Sequence, residues 1–159
     1  VSSTQGIDPR SPRFGAGITA VLLLVVIGLT VAGVSLAPTI LFALLVALFA
    51  WGAFAGIRRH PYGAVFRALI RPRLKPPTEL ENPAPPTFAQ GVGFVITGVG
   101  LALHLAGVPY ALVIAASAAF IAAFLNSVFA YCLGCQIYLL LVRAGILSRK
   151  GSRRGAAAA

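Results

Sequence analysis

The chain has 159 residues, 58% of them apolar and only 10% charged, whereas an ordinary soluble domain carries about 25% charged residues. That is too little polar surface to cover a water-soluble globule, and the apolar residues fall in long uninterrupted runs of the kind that cross bilayers. The net charge of +10 does not indicate nucleic acid, because the basic residues cluster beside the apolar runs, where membrane topology and anionic lipid account for them.

Residues 1–13 form a polar lead-in carrying Asp8, Arg10 and Arg13. With no methionine in the chain, Val1 reads as an alternative or trimmed start. The first apolar run is too long for the core of a signal peptide. Residues 14–37 make the first span, uncharged throughout. At about 1.5 Å per residue, roughly 20 residues cross the hydrocarbon core. Pro38 suits the first turn of a new helix and opens the second span, 38–57. There Gly52-x-x-x-Gly56 has the spacing for close helix approach. Arg58-Arg59-His60-Pro61 ends it. Residues 62–71 put Val65, Phe66, Leu69 and Ile70 on one side and Arg67 and Arg71 on another, as in a helix lying in the interface. The proline-rich stretch 72–87, with Glu79 and Glu81, reads as an extended linker.

The third span covers 88–106, and Gly91, Gly93, Gly98 and Gly100 give it a small-residue face for packing inside the bundle. A tight turn at Val108-Pro109 leads to the fourth span, 110–129. A break near 132–134 precedes a second interfacial segment, 133–143. The membrane domain thus runs over 14–147, and 148–159 form a basic, disordered tail.

The chain repeats internally. Arg13-Phe14-Gly15 corresponds to Thr87-Phe88-Ala89, and His60-Pro61-Tyr62-Gly63-Ala64-Val65-Phe66 to Cys132-Leu133-Gly134-Cys135-Gln136-Ile137-Tyr138. The fold class is therefore an all-α membrane protein, with four transmembrane helices as two tandem hairpins, each followed by a short interfacial amphipathic helix. Two spans per half imply a pseudo-two-fold axis along the membrane normal. Lysine and arginine occur before span one, between spans two and three, and after span four. The positive-inside rule then places both termini and the central loop in the cytoplasm.

Cys132 and Cys135 are the only cysteines. A C-x-x-C at the start of a helix brings two thiols within bonding reach, and the free N–H groups there favour a thiolate. The thiolate is the form that attacks disulfides and persulfides. Two small residues packed at a helix junction explain the pair equally well. A structural disulfide fits a cytoplasmic face less well, where thiols are kept reduced. His60, the repeat counterpart of Cys132, is a candidate proton donor or acceptor, or simply an interfacial histidine. Gln90 and Asn126 lie near the inner ends of spans three and four, where polar groups are costly, and can share a hydrogen bond at the depth of the cysteines. Tyr131 and Tyr138 flank the motif as anchors or pocket walls. Arg58, Arg59, Arg67 and Arg71 form a lipid-facing basic set. No metal site is assigned, since two cysteines fall short of the four ligands of structural zinc, and no cofactor is expected. Asp8, Glu79 and Glu81 all lie outside the spans, which argues against a proton-coupled carrier.

The combination Asp8-Pro9-Arg10-x-Pro12-Arg13-Phe14, His60-Pro61-Tyr62-Gly63, Arg71-Pro72-Arg73, Phe88-Ala89-Gln90-Gly91 and Ala123-Phe124-Leu125-Asn126 leading into Tyr131-Cys132-Leu133-Gly134-Cys135 resembles an uncharacterised bacterial integral membrane family, domain of unknown function 4395, in its actinobacterial form. The resemblance covers nearly the whole chain. It implies a multi-pass protein of the bacterial cell membrane and brings no catalytic residues with it. Relatives often lie beside genes for thioredoxin-like proteins and sulfurtransferases, which implies a thiol or sulfur partner.

Three functions stay open. The first is thiol redox or sulfur relay through the dithiol, with a thioredoxin-like or sulfurtransferase partner. The second is a non-enzymatic membrane subunit or scaffold binding a partner or anionic lipid. The third is a small-molecule or sulfur-anion permease, which would need a homo-oligomer. Whether the chain is an enzyme is left undecided.

Overall fold

The computed structural model describes residues 6–147; the tail at 148–159, with its basic residues Arg149, Lys150, Arg153 and Arg154, lies outside that range. Four helices are long and apolar enough to cross a membrane. They are α1 (Arg10–Val31), α2 (Leu36–Phe54), α4 (Ala84–Leu105) and α5 (Ala111–Phe129). Two short helices lie between and after them, α3 (Pro61–Val65) and α6 (Leu133–Arg143). Among the described residues there is no strand, only one isolated bridge.

The repeat is visible at every level. α1 and α4 each have 22 residues, and α2 and α5 each have 19. Both hairpins turn on Ala-Gly-Val, at 32–34 and 106–108. Gly33 and Gly107 take left-handed φ values of 80° and 83°. The Val34 N–H then bonds the Leu29 carbonyl, and the Val108 N–H the Leu103 carbonyl, both at 3.0 Å. This is a glycine-closed helix end, reached twice.

The helix starts are also paired. Asp8 Oδ1 accepts the Arg10 N–H at 3.0 Å, and Asn82 Oδ1 accepts the Ala84 N–H at 2.9 Å. These side-chain turns start α1 and α4 earlier than Phe14 and Phe88, where apolar character begins. Pro85 and Pro86 fall in the first turn of α4, where a missing N–H costs nothing, so the linker ends sooner than its prolines suggest. Just before these two starts, Ile7 and Glu81 exchange two backbone hydrogen bonds of 2.9 Å.

Packing follows the same exchange. α1 lies mainly along α5 and α2 along α4, with α1–α2 and α4–α5 contacts closing the ring. α3 rests on α1, with Phe14 and Phe66 rings 5.8 Å apart; α6 rests on α4, with Phe88 and Tyr138 rings 5.6 Å apart. The halves differ first at the joint before the short helix. The first inserts a 3-10 turn, Ile57–Arg59, before α3. The second reaches α6 directly from Ala130, at φ 55°.

Beyond Val65 the first interfacial segment winds into a π turn, Phe66–Ile70, then a 3-10 turn, Arg71–Arg73. That widening splits the expected apolar side. Phe66 is buried, while Val65 and Leu69 face outward.

The buried core is Leu23 and Val26 of α1, Phe42 and Leu45 of α2, and Leu112, Ala115, Ala116 and Ala119 of α5. All of these lie toward the short-turn end, so the bundle is solid there. Large apolar residues on every spanning helix face outward, among them Leu24, Leu44, Val99 and Ile121, as a lipid-exposed surface requires. The glycines do not make α4 the inner helix. Of its most apolar stretch 11% is buried, against 28% for α5. Its small residues serve single close approaches, with Phe49 over Gly93 and Ala115 against Gly100. Gly52-x-x-x-Gly56 also divides. Gly52 makes room for the Gln90 side chain, while Gly56 is a left-handed turn residue at φ 84° with no neighbour to admit.

Candidate functional site

The end opposite the solid core is hollow. α5 stops at Phe129, and the left-handed Ala130 turns the chain sharply. Cys132 is extended, at φ −89° and ψ 102°, and caps α6. Its Sγ accepts the Cys135 N–H at 3.3 Å, the helix-start geometry that favours negative charge on sulfur. One helical turn brings Cys135 back over it. The Cα atoms are 5.2 Å apart and the two sulfurs are joined as a disulfide. Both cysteines are half-buried.

The first half uses the same position differently. His60 caps α3, its Nδ1 accepting the Tyr62 N–H at 3.3 Å. That assigns the ring proton to Nε2, which donates to the Leu48 carbonyl at 3.2 Å. His60 is 3% exposed, and both nitrogens are engaged. A proton-transfer role would require one of these bonds to open.

Burial holds the His60 pKa below its ordinary value of 6.5, against a smaller upward pull from the Leu48 carbonyl. Below pH 6.5 the unfolded chain therefore binds a proton that the folded chain refuses. Stability is full above about pH 7 and falls as pH drops below 6.5. Thermal unfolding in detergent between pH 5 and 8 should show this slope. His60→Asn, which keeps a capping acceptor, should flatten it; an unchanged slope would assign the effect elsewhere.

A cavity of about 550 Å³ lies between α1, α4, α5 and the starts of α3 and α6. Cys132, Cys135, His60, Gln90 and Asn126 all line it. Tyr131 does not; it is exposed, and its N–H bonds the Leu125 carbonyl. Among the described residues no hydrogen bond joins Gln90 to Asn126, and Gln90 lies over Gly52 instead. Thr19 and Tyr62 also line the cavity. Sequence reasoning did not mark them as site residues, although Tyr62 is the repeat counterpart of Gly134 beside Cys135. Tyr62 covers Gly15 of α1, whereas Gly134 lets α6 settle directly on Ala89 of α4.

Arg58, Arg59, Arg67 and Arg71 are all exposed at this end. Arg67 donates to the Arg58 carbonyl at 3.3 Å, and Arg13 to the Ser127 carbonyl near the end of α5 at 3.4 Å. Asp8 is buried and paired with Arg10, whose donated hydrogen bonds hold its carboxyl below the usual range. His104 lies at the far end, 3.0 Å from Thr39 Oγ1. No group of three His, Cys, Asp or Glu side chains placed to hold a metal occurs among the described residues.

A family model described as Domain of unknown function (DUF4395) matches residues 7–143. No curated protein and no solved structure matches the chain.

Proposed function

The chain belongs to the DUF4395 family, and from that premise we propose a thiol-exchange protein of the bacterial cell membrane, multi-pass, with both termini cytoplasmic. The observation that carries this reading is the Cys132–Cys135 pair at the first turn of α6, open to a cavity rather than sealed in the core. Cys132 is the attacking thiolate, because its sulfur receives the helix N–H. It attacks a partner disulfide, expelling one partner thiolate, which takes up a proton. Cys135 then loses its proton and attacks Cys132 Sγ, releasing the second partner thiolate and closing the intramolecular disulfide. The partner is a thioredoxin-like protein or a sulfurtransferase, docking on the cytoplasmic face beside Arg58, Arg59, Arg67 and Arg71.

Cys135→Ser should accumulate a mixed disulfide with an added oxidised thioredoxin-like protein, and Cys132→Ser should accumulate none. A membrane-impermeant maleimide should fail to label the reduced pair in intact cells, while a permeant one labels it. Labelling by the impermeant reagent would invert the topology. Full function in a Cys132→Ala, Cys135→Ala double variant would instead favour the scaffold reading, in which the exposed arginines bind anionic lipid.

A further inference from the structure

Thiol exchange with a protein needs a sulfur at a surface; it does not need a hollow. The cavity beside the dithiol has about 550 Å³, within the range of roughly 300–1,000 Å³ typical of small-molecule sites. Its lining includes the small residues Gly15, Ala89, Gly93, Ala119, Ala122 and Ala123, which leave room beside the sulfurs for an apolar ring. Among the described residues, Tyr62 Oη is the buried side-chain polar atom without a hydrogen-bond partner, and buried hydroxyls nearly always have one. Burial raises the Tyr62 pKa; the nearby Thr19 hydroxyl pulls the other way without completing a hydrogen bond. The phenol therefore stays protonated, a donor beside Thr19 in the lining of the cavity. The Gln90 and Asn126 side-chain amides line the same cavity and add further N–H donors.

We propose that this cavity takes the ring of a lipid-soluble quinone, and that the dithiol reduces it. The inference rests on the thiol-exchange reading and names the second substrate of the same site: thiol exchange run in reverse, with a reduced thioredoxin-like partner opening the Cys132–Cys135 disulfide, supplies the dithiol whose two electrons the quinone takes. An apolar ring with two carbonyl acceptors matches a cavity lined by small apolar residues and by the hydrogen-bond donors Gln90 and Asn126. Cys132 thiolate adds to a ring carbon, forming a C–S bond while one carbonyl oxygen gains the electron pair. Cys135 loses its proton and attacks Cys132 Sγ. The S–S bond forms, the C–S bond breaks, and the ring leaves as the dianion of the hydroquinone, which takes up two protons. Two electrons pass from the thiols to the quinone.

The test uses the full chain in lipid vesicles, reduced and freed of reductant, with decyl-ubiquinone as probe. Reduced protein should form one quinol per disulfide closed. Tyr62→Phe should raise about fivefold the decyl-ubiquinone concentration that gives half the maximal single-turnover rate, the loss of one hydrogen bond, with the rate at saturation little changed. Ala122→Leu, which narrows the cavity, should abolish quinol formation while the thiols still react with dithiobis(nitrobenzoate). Thiols that react with that reagent but form no quinol, and that decyl-ubiquinone does not protect from maleimide, would overturn the quinone site and leave thiol exchange standing. Thiols unreactive toward both would overturn the two readings together.

Discussion

Gly100→Ala is expected to destabilise the detergent-solubilised bundle by roughly 1–3 kcal/mol, whereas Gly98→Ala on the same helix should be neutral or stabilising by up to about 1 kcal/mol. The substitution is the same and only the surroundings differ. A Cβ at Gly100 would overlap the Ala115 Cβ and lie 3.6 Å from the Ala111 carbonyl oxygen. Ala115 cannot yield, because it belongs to the packed cluster with Leu23, Val26, Phe42 and Leu45. The added methyl must therefore push α4 away from α5. At Gly98 a Cβ would meet only Phe94 and Val46, at 3.9 and 4.0 Å. That is ordinary contact, so helix propensity alone decides the sign. Gly100→Leu should prevent α4 from seating on α5 at all. Equal shifts for the two alanine variants, measured by denaturing-detergent titration, would show that the α4–α5 seam is not tightly packed at Gly100.

The architecture was legible because its signals are long. Four uncharged runs, two turns and a basic-residue asymmetry survive errors of several residues. The break before α6 was legible too, since a helix from Tyr110 through Arg143 would overrun a bilayer. The helix starts were misplaced for a local reason. Asp8 and Asn82 begin α1 and α4 through side-chain turns that hydropathy does not register, and prolines that signal a linker are also at home in a first helical turn. The cavity was not legible at all. It arises because large core residues gather toward the short-turn end while Ala89, Gly93, Ala122 and Ala123 line the other, and single-chain periodicity does not say at what depth helices part. Cys132, Cys135, Gln90, Asn126 and His60 were found as costly or unusual residue types. Thr19 and Tyr62 were missed because neither type is unusual where it stands. Only the comparison of the two halves, Tyr62 against Gly134, marks the difference that opens the second half.

That difference yields the other large effect. Gly134→Ala should weaken the docking of α6 by roughly 1–3 kcal/mol and slow thiol exchange at Cys132, and Ala89→Gly should restore much of both. A Cβ at Gly134 would lie 2.6 Å from the Ala89 Cα and Cβ. Neither is the end of a flexible side chain, so no rotamer change relieves the overlap and α6 must move. Cys132 sits at the cap of α6 and Cys135 in its first turn, so both sulfurs move with it relative to Gln90 and the cavity. The first half shows the reciprocal solution, where the spanning helix offers glycine, Gly15, and the short helix supplies the side chain, Tyr62. The double variant writes that solution into the second half, with alanine in place of tyrosine. Ala89→Gly alone should cost about 1 kcal/mol from helix propensity. The double variant should therefore be more stable than the sum of the single losses, with a coupling of about 0.5–3 kcal/mol. Strict additivity would mean that α6 does not rest on Ala89. Restored stability without restored exchange would mean that α6 regains its seat but not the orientation in which Cys132 reacts.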